Sequence, residues 1–186
     1  MLEAIFFGIL QGLTEFLPIS STAHVRIFAE FFGMSEDPGA MFTAIMQIGT
    51  ELAVLIYFRK DIARIISAWF RKVIFRKDLH IEEAADARMG WLIILGSLPI
   101  VILGYLGQDA ITTNFRSLWL IASVLIIFGV ILGIADRYGK TDKSLKDLSI
   151  FHGILYGLAQ AMALIPGVSR SGATIAMGRL LGYNRE

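Results

Sequence analysis

The chain contains no cysteine, which excludes disulfides, Cys-ligated zinc and thiol nucleophiles. Charge is scarce: 18% of residues are Asp, Glu, Lys or Arg, against about 25% in soluble domains. The net charge of +1 leaves no electrostatic footprint for nucleic acid, and no nucleic-acid partner is expected. Proline is rare, with four residues, and the 18 glycines follow no collagen-like period. What is abundant is apolar: 55% of residues are hydrophobic and mean hydropathy is +0.65. That excludes disorder and an ordinary soluble domain. It leaves a polytopic membrane protein, with a length of 186 residues matching one domain.

A helix needs about 20 mostly apolar residues to cross the hydrocarbon core. Three stretches qualify: Gly39 to Phe58, Met89 to Leu106, and Leu118 to Ala135. Tyr57, Trp91 and Trp119 stand at or near their ends, where aromatic belts belong. Two further apolar stretches, Leu2–Leu17 and Leu148–Ile165, each run into a polar turn and then a second short helix. The turns read Pro18-Ile19-Ser20-Ser21-Thr22 and Pro166-Gly167-Val168-Ser169-Arg170-Ser171-Gly172. Helix, polar break, short helix predicts a re-entrant hairpin, tolerated at membrane depth where protein or a wet cavity satisfies the backbone.

Basic residues orient the chain. Of 17 Lys and Arg, eight lie between Arg59 and Arg88 and four between Arg137 and Lys146. The Gly107–Ser117 loop holds only Arg116. Both basic loops fall on one side, which the positive-inside rule makes cytoplasmic. Residues 59–88 read as a cytoplasmic loop that looks like an amphipathic helix lying on the lipid surface, with His80, Asp61 and Glu82-Glu83 on its solvated face. Parity then sends the two hairpins in from opposite faces, with their polar tips meeting near the midplane.

An internal repeat supports that geometry. Gly8-Ile9-Leu10-Gln11-Gly12-Leu13 recurs as Gly153-Ile154-Leu155-Tyr156-Gly157-Leu158, and in register Glu15 aligns with Gln160. Similar segments inserted in opposite directions mark an inverted-topology repeat, whose sites lie where the copies meet. The expected fold is therefore all-α: one membrane domain over 1–186, with three full transmembrane helices and two re-entrant hairpins. Residues 1–135 form the first repeat and 148–186 an incomplete start of the second. Gly8/Gly12 and Gly153/Gly157 are small-xxx-small pairs, for which close helix packing is expected.

Ionisable residues inside membrane segments are costly and usually functional. Gln11 and Glu15 lie four apart, on one helix face, making Glu15 a candidate acid, base or metal ligand. Ser20, Ser21 and Thr22 stand where the second helix begins. Hydroxyls there cap helices, and a helix N-terminus also binds anions. His24 follows one turn after Ser21, and a Ser–His pair beside Glu15 has the parts of an activated nucleophile. Arg170, set among small residues, wants an anion, and guanidinium matches phosphate oxygens bidentately. Ser169, Ser171, Thr174 and turn N–H groups near Gly172 complete an oxyanion cradle. The alternative is a salt bridge from Arg170 to Glu15 that joins the hairpins. Glu51 lies mid-span with Gln47 one turn before it; it either lines the same cavity or is paired and structural. His152 reads as a satisfied polar residue.

The run from Gln11 to His24, Gln-Gly-Leu-Thr-Glu-Phe-Leu-Pro-Ile-Ser-Ser-Thr-Ala-His, resembles the first signature of the undecaprenyl-diphosphate phosphatases of the bacitracin-resistance type. Pro166 to Thr174, Pro-Gly-Val-Ser-Arg-Ser-Gly-Ala-Thr, resembles the second. The similarity covers the whole chain. It implies a multi-pass hydrolase of the bacterial cell membrane. Such an enzyme removes the terminal phosphate of undecaprenyl diphosphate, recycles the lipid carrier for cell-wall synthesis and confers bacitracin resistance. On that resemblance Glu15, Ser21, His24 and Arg170 are catalytic. Gln11, Ser20, Thr22, Ser169, Ser171, Gly172 and Thr174 contact substrate. A divalent cation, magnesium or calcium, is expected with Glu15 as its ligand, and the site is expected to open to the outer face. The expected partners are the polyprenyl diphosphate lipid and the bilayer, with a homodimer left open. Three departures stand out. Gln11 carries no charge, Ala23 replaces a common Gly, and the chain ends where family members continue, so a C-terminal truncation is expected. The rival reading is a lipid-phosphate flippase or anion transporter on the same repeat, because alternating access needs only a midplane binding site.

Overall fold

The computed structural model describes residues 2–33, 39–108, 111 and 117–185, with backbone alone at 39 and 40. Arg116 lies outside the described residues. Among those residues the secondary structure is helical, apart from a single parallel bridge between Lys143 and Tyr183. The order is α1 (Leu2–Thr14), α2 (Ser21–Phe31), α3 (Gly39–Tyr57), α4 (Arg59–Val73), α5 (Ile81–Leu106) and α6 (Leu118–Tyr138). A 3-10 turn at Leu145–Asp147 leads to α7 (Ile150–Ala161), a second 3-10 turn at Met162–Leu164, and α8 (Arg170–Leu180).

Helices α5 and α6 are each long and apolar enough to cross a bilayer, and only 11% of the apolar window of each is buried inside the protein. A water-facing domain does not leave such continuous apolar surface bare, so these faces suit lipid. The first expected span, α3, qualifies only together with α4, from which it is bent by 73° at Phe58. Two to three helices among the described residues are therefore membrane-capable.

The stretch from 59 to 88 is not one amphipathic helix. Helix α4 covers Arg59–Val73, Arg76 adopts φ 48, and His80 turns extended to cap α5 at Ile81. Helix α5 thus starts eight residues before the expected Met89. The acidic residues that lower hydropathy there, Glu82 and Glu83, sit in its first turn, where they complement the helix dipole. Arg64 and Arg71 of α4 pair with Asp86 and Glu83, both at 2.8 Å. Trp69 packs edge-on to Trp91 at 5.3 Å. Together these contacts lash α4 to the base of α5.

Each polar break separates two helices, as the punctuation predicts. Pro18 and Pro166 stand in the breaks, and α2 and α8 are each 11 residues long, capped by Ser20 and Ser169 respectively. The Ser169 hydroxyl accepts from the Gly172 N–H at 3.1 Å. The second hairpin's extra length is its 3-10 turn, Met162–Leu164. Its break rests on α6: Gly167 has φ +100, and a Cβ there would lie 2.6 Å from the Ile121 carbonyl. Only glycine combines that φ with such an approach. The first hairpin packs α1 on α2 and α3 through Phe7, Val25 and Ala29, with Phe28 and Phe42 alongside. The second packs α7 on α5 and α8 on α6. Buried Arg179 fixes the latter contact by donating to the carbonyls of Lys140, Gly139 and Tyr183. At the polar end beyond α6, hydrogen bonds from the Ser144 N–H and hydroxyl hold Asp147 below its usual pKa.

Candidate functional site

The two hairpin tips touch. Ser171 of α8 donates through Oγ to the Leu17 carbonyl at 2.8 Å, and Ser169 reaches the same carbonyl at 3.4 Å. A Cβ built on Gly172 would lie 3.0 Å from the Ser169 Cβ and 3.5 Å from Pro18. Gly172 is thus the close-approach residue that lets α8 sit on the first turn. The hydroxyls of Ser169 and Ser171 lie 3.0 Å apart, and both serve this junction.

Just beyond Pro18 the chain is strained. Ser20 takes φ 64 and ψ 94 while only 3% exposed, a region that non-glycine residues visit rarely, at a cost of roughly 1–3 kcal/mol. Hydrogen bonds at its hydroxyl and its carbonyl hold it there. Its hydroxyl accepts from the Ala23 N–H at 3.4 Å, and its carbonyl lies 2.9 Å from His24 Nδ1. A carbonyl only accepts, so Nδ1 carries the proton in this contact.

The strained turn delivers Ser21 to Glu15. Ser21 Oγ donates to Glu15 Oε2 at 2.6 Å, and Gln11 Nε2 donates to the same oxygen at 2.7 Å. Hydroxyl, carboxylate and orienting amide thus form one chain of hydrogen bonds, the arrangement in which a base activates a hydroxyl nucleophile. Ser21 is 7% exposed and Gln11 fully buried. Gln11 Oε1 is buried and accepts no hydrogen bond from a described residue.

Arg170 enters from the other hairpin, but its partner is not Glu15. Its Nη1 donates to Glu51 Oε1 of α3 at 2.7 Å. Of the two readings of Glu51, the pairing holds: it binds Arg170, and the walls of the two cavities that Arg170 lines do not include it. The alternative bridge from Arg170 to Glu15 gives way to this pair, while Gln11 and Ser21 share Glu15 Oε2. Glu15, Ser20, Ser21, Thr22, Gln47, Ser169 and Arg170 line one cavity of about 30 Å3. It is walled by polar groups of three helices and the two breaks.

Three of the expected residues, His24, Gly172 and Thr174, line other cavities. His24 lines a second cavity of about 290 Å3 with Pro18, Leu125 and Gly172. Its Nδ1 is held by the turn it supports. Thr174 Oγ1 bonds back to the Arg170 and Ser171 carbonyls at 2.9 and 3.1 Å and borders a cavity with Tyr156 and Arg179. Two wall residues have no role in the sequence reading. Gln47 lines the polar cavity, and Arg26 lines a larger one beside it. The available signal for Arg26 is its spacing, one helical turn after Thr22. Among the described residues, no group of three or more His, Asp or Glu converges to hold a metal ion.

The chain matches the family described as bacitracin resistance protein BacA over residues 4–186. It is 60% identical over 185 residues to an undecaprenyl-diphosphatase of a Nocardioides species, covering all of this chain and 66% of that protein. It is 60% identical to the undecaprenyl-diphosphatase of Micrococcus luteus over 184 residues, 99% of this chain and 65% of the relative. It is 58% identical to undecaprenyl-diphosphatase 2 of Agrobacterium fabrum, at 100% and 66% coverage. The chain spans about two thirds of the length of these curated relatives. Both signature runs fall inside the matched span, and the chain belongs to the bacitracin resistance protein BacA family.

Proposed function

We propose that this protein is an integral membrane phosphatase that hydrolyses undecaprenyl diphosphate to undecaprenyl phosphate and inorganic phosphate. The observation that carries this reading is the 2.6 Å Ser21–Glu15 hydrogen bond in the same cavity as Arg170. A binding site needs the cation; it has no use for a hydroxyl aimed at a carboxylate. The names of the relatives agree with it.

In the proposed reaction the Ser21 oxygen attacks the terminal phosphorus while Glu15 takes the Ser21 proton. Gln11 holds the carboxylate in line. The bond to the bridging oxygen breaks, and the prenyl monophosphate leaves. Arg170 exchanges Glu51 for phosphate oxygens and stabilises the charge that develops on them, the main way a protein speeds phosphoryl transfer. The proton on Glu15 leaves with the prenyl monophosphate; water then attacks the phosphoserine while Glu15 takes its proton and returns it to Ser21 Oγ as that P–O bond breaks, and phosphate departs. His24 acts through the backbone, holding Ser20 in its strained turn so that Ser21 faces Glu15. A divalent cation, magnesium or calcium, fits as a guest of the substrate: Glu15 and the Gln11 amide oxygen are hard donors, and diphosphate oxygens would complete the shell. Bound there, it would neutralise phosphate charge.

The topology that suits this chemistry has α3, α5 and α6 crossing once each. The two hairpins then enter from opposite faces of the cell membrane, with the site opening to the outer face. The apolar faces of α5 and α6 and the basic loops support it. Prenyl chains would stay in lipid while the headgroup reaches the junction.

The test is phosphate release from undecaprenyl diphosphate by detergent-solubilised protein, set against lipid translocation in sealed vesicles. Release that is lost in Ser21→Ala supports hydrolysis. Translocation without release identifies a flippase or anion transporter instead. Radiolabel from the terminal phosphate retained on the protein, and absent in Ser21→Ala, would support the covalent step. Turnover with no label at any pH would replace that step by direct attack of water.

A further inference from the structure

The polar cavity shares Thr22, Gln47 and Arg170 with a larger neighbour of about 220 Å3. Arg26 lies in the wall of that second compartment. It stands one turn after Thr22 on α2, so both side chains project from the same helix face. The Arg26 side chain is 18% exposed, and its Nη1 pairs at 3.0 Å with Glu30, which is 57% exposed. The remaining wall includes Ile100, Ile121 and Leu164. Arg170 therefore stands between two compartments of different character. One holds the reactive hydroxyl and carboxylate. The other joins a guanidinium to an apolar lining.

We infer that the larger compartment binds the lipid-proximal phosphate and the first carbons of the prenyl chain, with Arg26 as the residue that grips that phosphate. This rests on the hydrolytic reading for the direction in which the substrate lies, and it adds a specificity determinant. A diphosphate spans both compartments across Arg170, with its terminal phosphate at Ser21 and its proximal phosphate at Arg26. Inorganic phosphate needs only the first compartment. A prenyl monophosphate, the product, keeps its phosphate at Arg26. The carboxylate of Glu30 holds the guanidinium in place at the mouth and gives up part of that contact to the incoming phosphate, because an exposed carboxylate is readily rehydrated.

The test is equilibrium binding to the detergent-solubilised protein, which does not depend on turnover. Prenyl monophosphate and inorganic phosphate are titrated into the unmodified protein, Arg26→Met and Arg26→Lys. Removing the charge while keeping the stem should weaken prenyl monophosphate binding roughly tenfold to a hundredfold, the worth of a charged hydrogen bond. Inorganic phosphate binding should stay unchanged, and Arg26→Lys should restore part of the loss. Equal weakening of both ligands would overturn the assignment, as would unchanged monophosphate binding. A fallen unfolding temperature in Arg26→Met with no selective change in binding would make Arg26 structural. Arg26-dependent monophosphate binding in a protein that releases no phosphate would refute hydrolysis and leave this subsite standing.

Discussion

Hairpins α1–α2 and α7–α8 carry the same Gly-Ile-Leu-x-Gly-Leu run, yet the two copies use it differently. In the second, Gly157 meets the α5 backbone so closely that an added Cβ would collide with the Gly96 carbonyl, and a Cβ on Gly153 would lie 3.1 Å from Leu92. In the first, Gly8 and Gly12 have nothing within 4 Å of an added Cβ among the described residues. A small-xxx-small pair permits close approach; whether a helix takes that place is decided elsewhere. The tips differ too. Ser20 and Ser169 both cap 11-residue helices, but the next residue is Ser21 in one copy and Arg170 in the other. Glu15 in one copy aligns with Gln160 in the other. The two runs start from matched sequence, and the proposed reaction draws on the positions where they differ.

On the proposed reaction the two tips should both be needed, while the paired glycines should respond unequally. Arg170→Ala should lower kcat/KM for diphosphate hydrolysis by about a hundredfold or more, the loss typical of a transition-state charge partner, and Arg170→Lys should recover only part. Ser21→Ala should cost about as much in kcat. Full activity in either variant breaks the assignment of attack to one hairpin and charge stabilisation to the other. The glycines come next. Gly157→Ala should destabilise by roughly 1–3 kcal/mol through overpacking, read as a lowered unfolding temperature. Gly12→Ala should be neutral, or stabilising by up to about 1 kcal/mol from helix propensity. If both alanines destabilise alike, the first copy is packed as the second is, and the contrast fails. The smallest effect belongs to Glu51. Glu51→Gln frees Arg170 for substrate and should lower KM about threefold or less, as expected of a solvent-accessible ion pair. A raised KM would instead make Glu51 a binding residue.

The parts legible in the sequence are those fixed by local pattern. Pro18 and Pro166 punctuate the breaks, and Ser20 and Ser169 cap the helices that follow. Gln11 and Glu15 share a face because they are four apart. The hidden parts depend on which elements become neighbours. Arg170 and Glu51 are far apart in sequence, and no spacing rule joins α3 to α8. Hydropathy sets the start of α5 too late because it penalises Glu82, Glu83 and Asp86. In the fold, Glu82 and Glu83 belong to the first turn of α5, and Glu83 and Asp86 find Arg71 and Arg64 on α4. Proximity along the helix suggests a pairing of His24 with Ser21. The backbone outcompetes that pairing, since the strained Ser20 carbonyl lies within reach of the His24 ring.

The central claim is that Ser21 and Arg170, from different hairpins, act on one phosphate as a unit. A double-mutant cycle on kcat/KM with Ser21→Ala, Arg170→Ala and the double variant tests it most directly, because groups that act together are strongly non-additive. The double variant should be no slower than the slower single variant, within about threefold, the scatter of additive cycles. Losses that multiply would contradict the account and place the two residues at separate steps or separate sites.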